Sequence, residues 1–238
     1  MAEIVKETPV APLREDQDER IDLTGAQREG RDFLEDNQKL ILGVVGAAIL
    51  LGLGIFLYRE FVAEPRQAEA SEQLWRAQQA FERDSFALAL NTPAPGYLGL
   101  LDIAAEYGST PAGNLANYYA GLSYLQLGQF AAAVSYLEDF DPDGTVLPAA
   151  HAGALGDAYA QTGDLAAAES QYEDAVDLAG DNTLLAPYFL KKLALLRERN
   201  GDPSAAHELY SRIRDEFPTS AEAADVEKFL LRTRPAAE

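Results

Sequence analysis

The chain has 238 residues, of which 39 are acidic and 19 basic, for a net charge of −20, with two histidines and no cysteine. Such an acidic balance argues against nucleic acid as a partner, since phosphate binding needs a basic face, and against docking on anionic headgroups. Without cysteine there is no disulfide framework, thiolate nucleophile or cysteine metal site.

Residues 1–39 carry eleven acidic and six basic residues, with Pro9 and Pro12 near the start and few apolar side chains. A segment of this composition buries too little surface to offset its ordering entropy. It reads as a mostly disordered tail, with a short helix over Ala26 to Asn37.

Leu40 to Tyr58, LILGVVGAAILLGLGIFLY, is uncharged. As a helix its nineteen residues would span about 28 Å, close to the hydrocarbon thickness of a bilayer. Its glycines, Gly43, Gly46, Gly52 and Gly54, are costly in water-exposed helices and common in membrane ones. The long acidic leader and Phe61, where a cleavage site would need a small residue, predict an uncleaved signal-anchor. Arg28, Arg31 and Lys39 before it, against Arg59 and Arg66 after it, place the N-terminus in the cytoplasm by a slim margin. Small residues spaced four apart, such as Ala48 and Gly52, suit helix pairing and so a homo-oligomer.

From Pro65 the pattern is helix, turn, helix, and no run alternates as a strand does. Gln67 to Leu90 predicts one long helix with Leu74, Ala77, Ala80, Phe81 and Leu88 on its apolar face. The segment Asn91–Gly96 breaks it, and Tyr97 to Tyr107 completes a first hairpin within residues 65–110. Two later segments then superimpose. Gly121, Tyr124, Gly128, Phe130, Ala133 and Leu137 recur as Gly156, Tyr159, Gly163, Leu165, Ala168 and Tyr172, a shift of 35 (156 − 121). A looser third copy runs through Ala194, Gly201, Ala206, Tyr210 and Pro218, with Gly201 displaced by 38 from Gly163. Small residues inside the helices allow close approach, glycine suits the left-handed turn, and proline ends the repeat. Residues 219–233 are amphipathic, with Ala224, Val226, Phe229 and Leu230 on one side, and predict a helix capping the last repeat.

This spacing resembles the tetratricopeptide repeat, a helix pair of 34-residue period. The fold class is therefore all-α: a transmembrane helix at 40–58, a degenerate hairpin at 65–110, repeats at 111–218 and a capping helix at 219–233. The Trp of the fullest consensus is replaced by Asn117 and Ala152. The layout resembles the bacterial ancillary subunit of the Sec translocon and the related cell-division coordinator family. WRAQQAFERDSFALAL and the segment that follows it look most like Bacteroidota members. The resemblance implies an inner-membrane, single-pass protein with a periplasmic repeat domain. Its implied partners are translocon components, periplasmic chaperones or unfolded clients; a self-assembling hub of the envelope, without clients, is the second reading.

Chemistry is sparse. His151 and His207 lack ligand spacing and read as ordinary helix residues, and no nucleophile–base pair can be named, so neither an enzyme nor a cofactor is expected. Glu169, Glu173, Asp174 and Asp177 read as a solvated face. Asp139, Asp141, Asp143 and Gly144 hint at a calcium loop but lack its closing ligands, and read instead as an inter-repeat turn. The candidate site is the groove that repeat stacks offer to peptides. Its first-helix positions are Leu115, Tyr118, Leu122 and Gln126, then Gly153, Asp157 and Gln161, then Tyr188, Lys191 and Leu195. Relatives that clamp a terminal carboxylate use Lys and Asn where Tyr118 and Leu122 stand, so the expected ligand is an exposed apolar segment and not an acidic chaperone tail. One of Tyr118 and Tyr119, at least, is expected to pack between repeats.

Overall fold

The computed structural model describes residues 37–234. The tail lies outside them, as does its expected helix apart from Asn37, which stands in a turn. The chain divides into two compact units between Leu57 and Tyr58.

The first contains all but the last residue of helix α1, Gln38–Tyr58, which is two residues longer at its start than the apolar run. No residue of it is buried: Leu40, Leu50 and Leu51 are each about two-thirds exposed. Apolar side chains face outward all round, which water penalises and hydrocarbon does not. Among the described residues one helix is thus long and apolar enough to cross a membrane.

The second unit begins with a π-helical turn, Arg59–Ala63, followed by α2, Glu64–Phe81. The long helix expected to reach Leu90 is interrupted. Arg83 and Asp84 form a turn in which Asp84 takes φ 55°, and α3, Phe86–Asn91, starts afresh. Aspartate tolerates this conformation better than most side chains, and the turn lets Phe86 fold back edge-on to Phe81, 5.3 Å between centroids. Leu88, placed on the apolar face by its spacing, is 55% exposed because α3 takes a new register. Helix α4, Leu100–Tyr107, starts three residues later than expected. Leu98 donates its backbone N–H to Gln73 Oε1, which ties the preceding loop to α2.

Regular helix pairs follow: α5, Pro111–Gln126, with α6, Phe130–Glu138; α7, Leu147–Thr162, with α8, Leu165–Ala179; and α9, Leu185–Arg199, with α10, Pro203–Glu216. Each helix packs on its neighbours in sequence, and first helices of successive pairs also touch, α5 on α7 and α7 on α9. Among the described residues there is no strand. The repeat residues do what their spacing implies. A Cβ at Gly121 would stand 2.5 Å from Leu137, and one at Gly156 2.6 Å from Tyr172, each a large residue of the partner helix. Ala133, Ala168 and Ala206 are fully buried opposite. Gly128, Gly163 and Gly201 take φ of 72°, 90° and 85° at the turns, where a Cβ would strain the backbone.

The terminal helix is shorter than expected: a 3₁₀ turn, Ala223–Asp225, leads into α11, Val226–Arg232. Val226, Phe229 and Leu230 are buried as expected, but Ala224 is exposed, because it lies in the 3₁₀ turn out of the helix register. Phe229 stacks on the fully buried Tyr210 at 4.9 Å, and Arg232 reaches back to Glu198 of α9 at 2.6 Å. These contacts cover the last pair's apolar face.

His151 packs edge-on to Phe140 and donates from Nε2 to the carbonyl oxygen of Leu137, at 2.8 Å. Burial pushes its pKa below the usual 6.5, partly offset by that carbonyl. The unfolded chain therefore takes up the proton first as pH falls. Its contribution to stability is present above pH 6.5 and is lost as the pH falls toward the lower folded value. Urea midpoints measured from pH 7 down to 5.5 should fall less steeply in His151→Gln than in the parent chain.

Candidate binding face

First helices carry the expected groove positions, and their surroundings separate them into two groups. On α5 the apolar positions are spent on packing. Leu115 is half-buried against the core of the first helices. Tyr118 lies 5.1 Å from the ring of Phe140 and packs, with Leu122, toward Ala154 and Leu155 of α7. Burial pushes its phenol pKa up. Tyr119 turns the other way, edge-on to Phe81 at 5.1 Å. Both tyrosines thus pack between helix pairs.

On α7, Gly153 is covered by Phe189 of α9, whose ring would lie 2.1 Å from an added Cβ. Asp157 is held in a network. It accepts from Tyr172 Oη at 2.6 Å and from Lys192 Nζ at 2.5 Å. Lys192 also stands over the ring of Tyr188, 4.9 Å from its centroid. Burial opposes the charge of Lys192, but Asp157 and Tyr188 more than offset it, so its pKa is raised. Burial and the neighbouring Asp157 carboxylate push the Tyr172 phenol up, so it stays a donor at neutral pH. Both bonds fall on Asp157 Oδ1, so a phenol and an ammonium engage this carboxylate from the same side.

The remaining positions face outward. Gln126 and Gln161 are exposed. Tyr188 and Leu195, both on α9, are each 42% exposed despite their size. Lys191 turns aside, over the ring of Phe229 at 5.7 Å, and so contacts the capping helix. Leu195 stands between two recesses. One, of about 190 Å³, is lined by Ala160, Tyr172, Lys192, Leu195, Leu196 and Arg199. The other, of about 320 Å³, is lined by Leu195, Glu198, Arg199 and Arg232.

Sequence reading missed Lys192, Phe189 and Arg199. The signal for Arg199 was available: Gln126 plus 35 is Gln161, and Gln161 plus 38 is Arg199, so the three occupy one repeat position.

A further cleft, about 720 Å³, lies between the turns at Gly108–Thr110 and Asp139–Asp143. Asn114 pins the second turn, donating to the carbonyl of Asp141 at 2.7 Å and accepting from its N–H at 2.9 Å. Asp139 to Gly144 lies in the connection between α6 and α7, and among the described residues no carboxylate or histidine group is arranged to hold a metal. The acidic run on α8 is only partly a solvated face: Glu169 and Glu173 flank Arg197 at 2.7 and 2.5 Å, while Asp174 and Asp177 are exposed.

Helix pairs stacked in sequence, with small residues at the crossings and a capped last pair, define an α-solenoid of the tetratricopeptide type. Residues 115–141 and 153–182 each match a tetratricopeptide repeat family. The fold is similar to the crystal structure of the nearly identical TPR-like repeats of a candidate kinesin light chain from Podosopora anserina. That likeness has a TM-score of 0.55 at 18% identity, over 68% of this chain and 84% of that one. A single-substitution variant of the same protein gives 0.54 at 17% identity, with the same coverage. At these identities the likeness concerns the fold. No curated protein sequence matches the chain. Tetratricopeptide repeats are typically non-enzymatic scaffolds for protein–protein interaction.

Proposed function

We propose that this chain is a membrane-anchored scaffold whose first-helix face, centred on α9, binds other polypeptides outside the cytoplasm. The observation that carries the reading is the pair Tyr188 and Leu195, large apolar residues left 42% exposed on the face where such repeats take ligands. Solvent-facing apolar residues grouped beside recesses suit a partner's side chains. Helix α1, apolar on every side, supports a single-pass anchor; the likeness in layout suggests the bacterial inner membrane, and Arg28, Arg31 and Lys39 before the helix favour a cytoplasmic N-terminus and periplasmic repeats. In that compartment the proposed partners are translocon components, periplasmic chaperones or unfolded clients, as the likeness in layout to the ancillary Sec subunit suggests.

The test is protease accessibility in intact spheroplasts. Residues 64–234 should be digested from outside, while an epitope placed before residue 36 should survive. Digestion of the epitope alone would reverse the orientation and remove envelope partners from consideration.

A second reading, self-assembly of the anchor, draws on Gly43, Gly46, Gly52 and Gly54, where nothing lies within 4 Å of an added Cβ. It requires a stable oligomer in lipid nanodiscs that Gly52→Leu disperses; a monomer by single-particle mass measurement would exclude it.

A further inference from the structure

We infer that the Arg199 end of the binding face takes an extended polypeptide segment that presents a carboxylate beside an apolar side chain. The inference rests on the reading of this face as a protein-binding surface and names the chemistry of the partner.

Three observations lead to it. First, α9 is cationic in an acidic chain: Lys191, Lys192, Arg197 and Arg199 stand against Glu198, a net of +3 where the whole protein carries −20. Second, most of those cations are engaged. Lys192 pairs with Asp157, Arg197 with Glu169 and Glu173, and Lys191 faces Phe229. Arg199 is exposed and, among the described residues, makes no ion pair. Third, Arg199 borders both recesses that flank Leu195: the smaller is walled mainly by Ala160, Tyr172, Leu195 and Leu196, and the larger by Leu195 with the ion-paired Glu198 and Arg232. A recess of about 190 Å³ fits one side chain, not a drug-sized ligand.

The repeat positions extend the surface. Gln126, Gln161 and Arg199 are equivalent in their helix pairs and all exposed, so the face offers two amides and then a guanidinium. Amides serve the N–H and C=O groups of an extended chain equally well. A guanidinium has donors only and fits a carboxylate in a two-pronged geometry. The occupant is thus a segment whose backbone lies along the glutamines, whose apolar residue enters a recess beside Leu195, and whose Asp, Glu or chain terminus meets Arg199. This is not the clamp of carboxylate-binding relatives, which needs Lys and Asn where Tyr118 and Leu122 stand.

Fluorescence anisotropy with the full chain in phosphatidylcholine nanodiscs tests it, with empty nanodiscs subtracted. The probes are three acetylated, amidated peptides of repeating Ser-Leu-Glu-Phe, Ser-Leu-Gln-Phe and Ser-Leu-Lys-Phe. The field of a −20 protein favours the lysine peptide, so a preference for the glutamate peptide can arise only from a local site. The glutamate peptide should bind about tenfold more tightly than the lysine peptide at low salt, with the margin shrinking as salt rises. Arg199→Glu should abolish that ranking and Arg199→Lys should keep part of it. Equal or tighter binding of the lysine peptide, or a ranking unchanged in Arg199→Glu, overturns the inference. If charge has no effect but Leu195→Ser releases all three peptides, the inference fails and the protein-binding face stands. If no peptide binds, both fall.

Discussion

Gly153→Ala is expected to destabilise the repeat unit by about 2–3 kcal/mol, the upper part of the range for overpacking a core. The new Cβ would stand 2.1 Å from Cε1 of Phe189 and 2.6 Å from its Cζ. The ring is only 4% exposed and sits in the core of the α9–α10 pair, so it has no free space to enter. Either Phe189 leaves its rotamer or α7 and α9 move apart, and both lose contacts across the junction. Thermal unfolding followed by circular dichroism should show a midpoint lower by roughly 5–10 °C. Phe189→Ala alone should cost about 3–5 kcal/mol. In the double variant the alanine at 153 has room, so the two losses should fall short of additivity by at least about 1 kcal/mol. Additive losses would mean that Gly153 and Phe189 are not in contact in solution.

Putting two arginines into α1, as Leu50→Arg with Leu53→Arg, should release the chain from lipid. Twelve Leu, Ile, Val and Phe residues lie between Leu40 and Tyr58. At about −0.3 to −0.6 kcal/mol each they favour insertion by roughly 5 kcal/mol. Two central arginines cost about 5–7 kcal/mol, and two favourable leucines are lost with them. The balance therefore changes sign. Sodium carbonate extraction should leave the parent chain in the membrane pellet and move the double variant to the supernatant. A parent chain found in the supernatant would show that α1 does not span a bilayer.

The solenoid was legible because its constraints are local and repeat. A glycine or alanine where helices cross, a glycine at a left-handed turn and a large residue opposite are each visible at a period of 35. The break at Asp84 was not legible. Val, Ile and Pro are absent between Gln67 and Leu90, and only the chance to pack Phe86 on Phe81 decides the fold-back. That contact is a tertiary gain, which propensity does not register. The candidate face was legible in part. Repeat positions named Tyr188 and Leu195, which are exposed, and also Tyr118 and Leu122, which are not free. Position in a repeat states which way a side chain points. Whether a neighbouring helix then covers it depends on the partner's bulk: Phe140 covers Tyr118, whereas no described residue covers Tyr188 to that extent. Lys191 and Lys192 show how small the margin is, since adjacent residues on one helix turn to Phe229 and to Asp157 respectively.

Site-specific photocrosslinking in the native membrane tests the account most directly. A benzophenone amino acid at Leu195, on the first-helix face, is compared with one at Arg212, an exposed position on the second helix α10. The account predicts discrete polypeptide adducts from position 195 that are lost on adding excess unlabelled Ser-Leu-Glu-Phe peptide, with none from position 212. Equal labelling from both positions, or adducts from 212 alone, would contradict it.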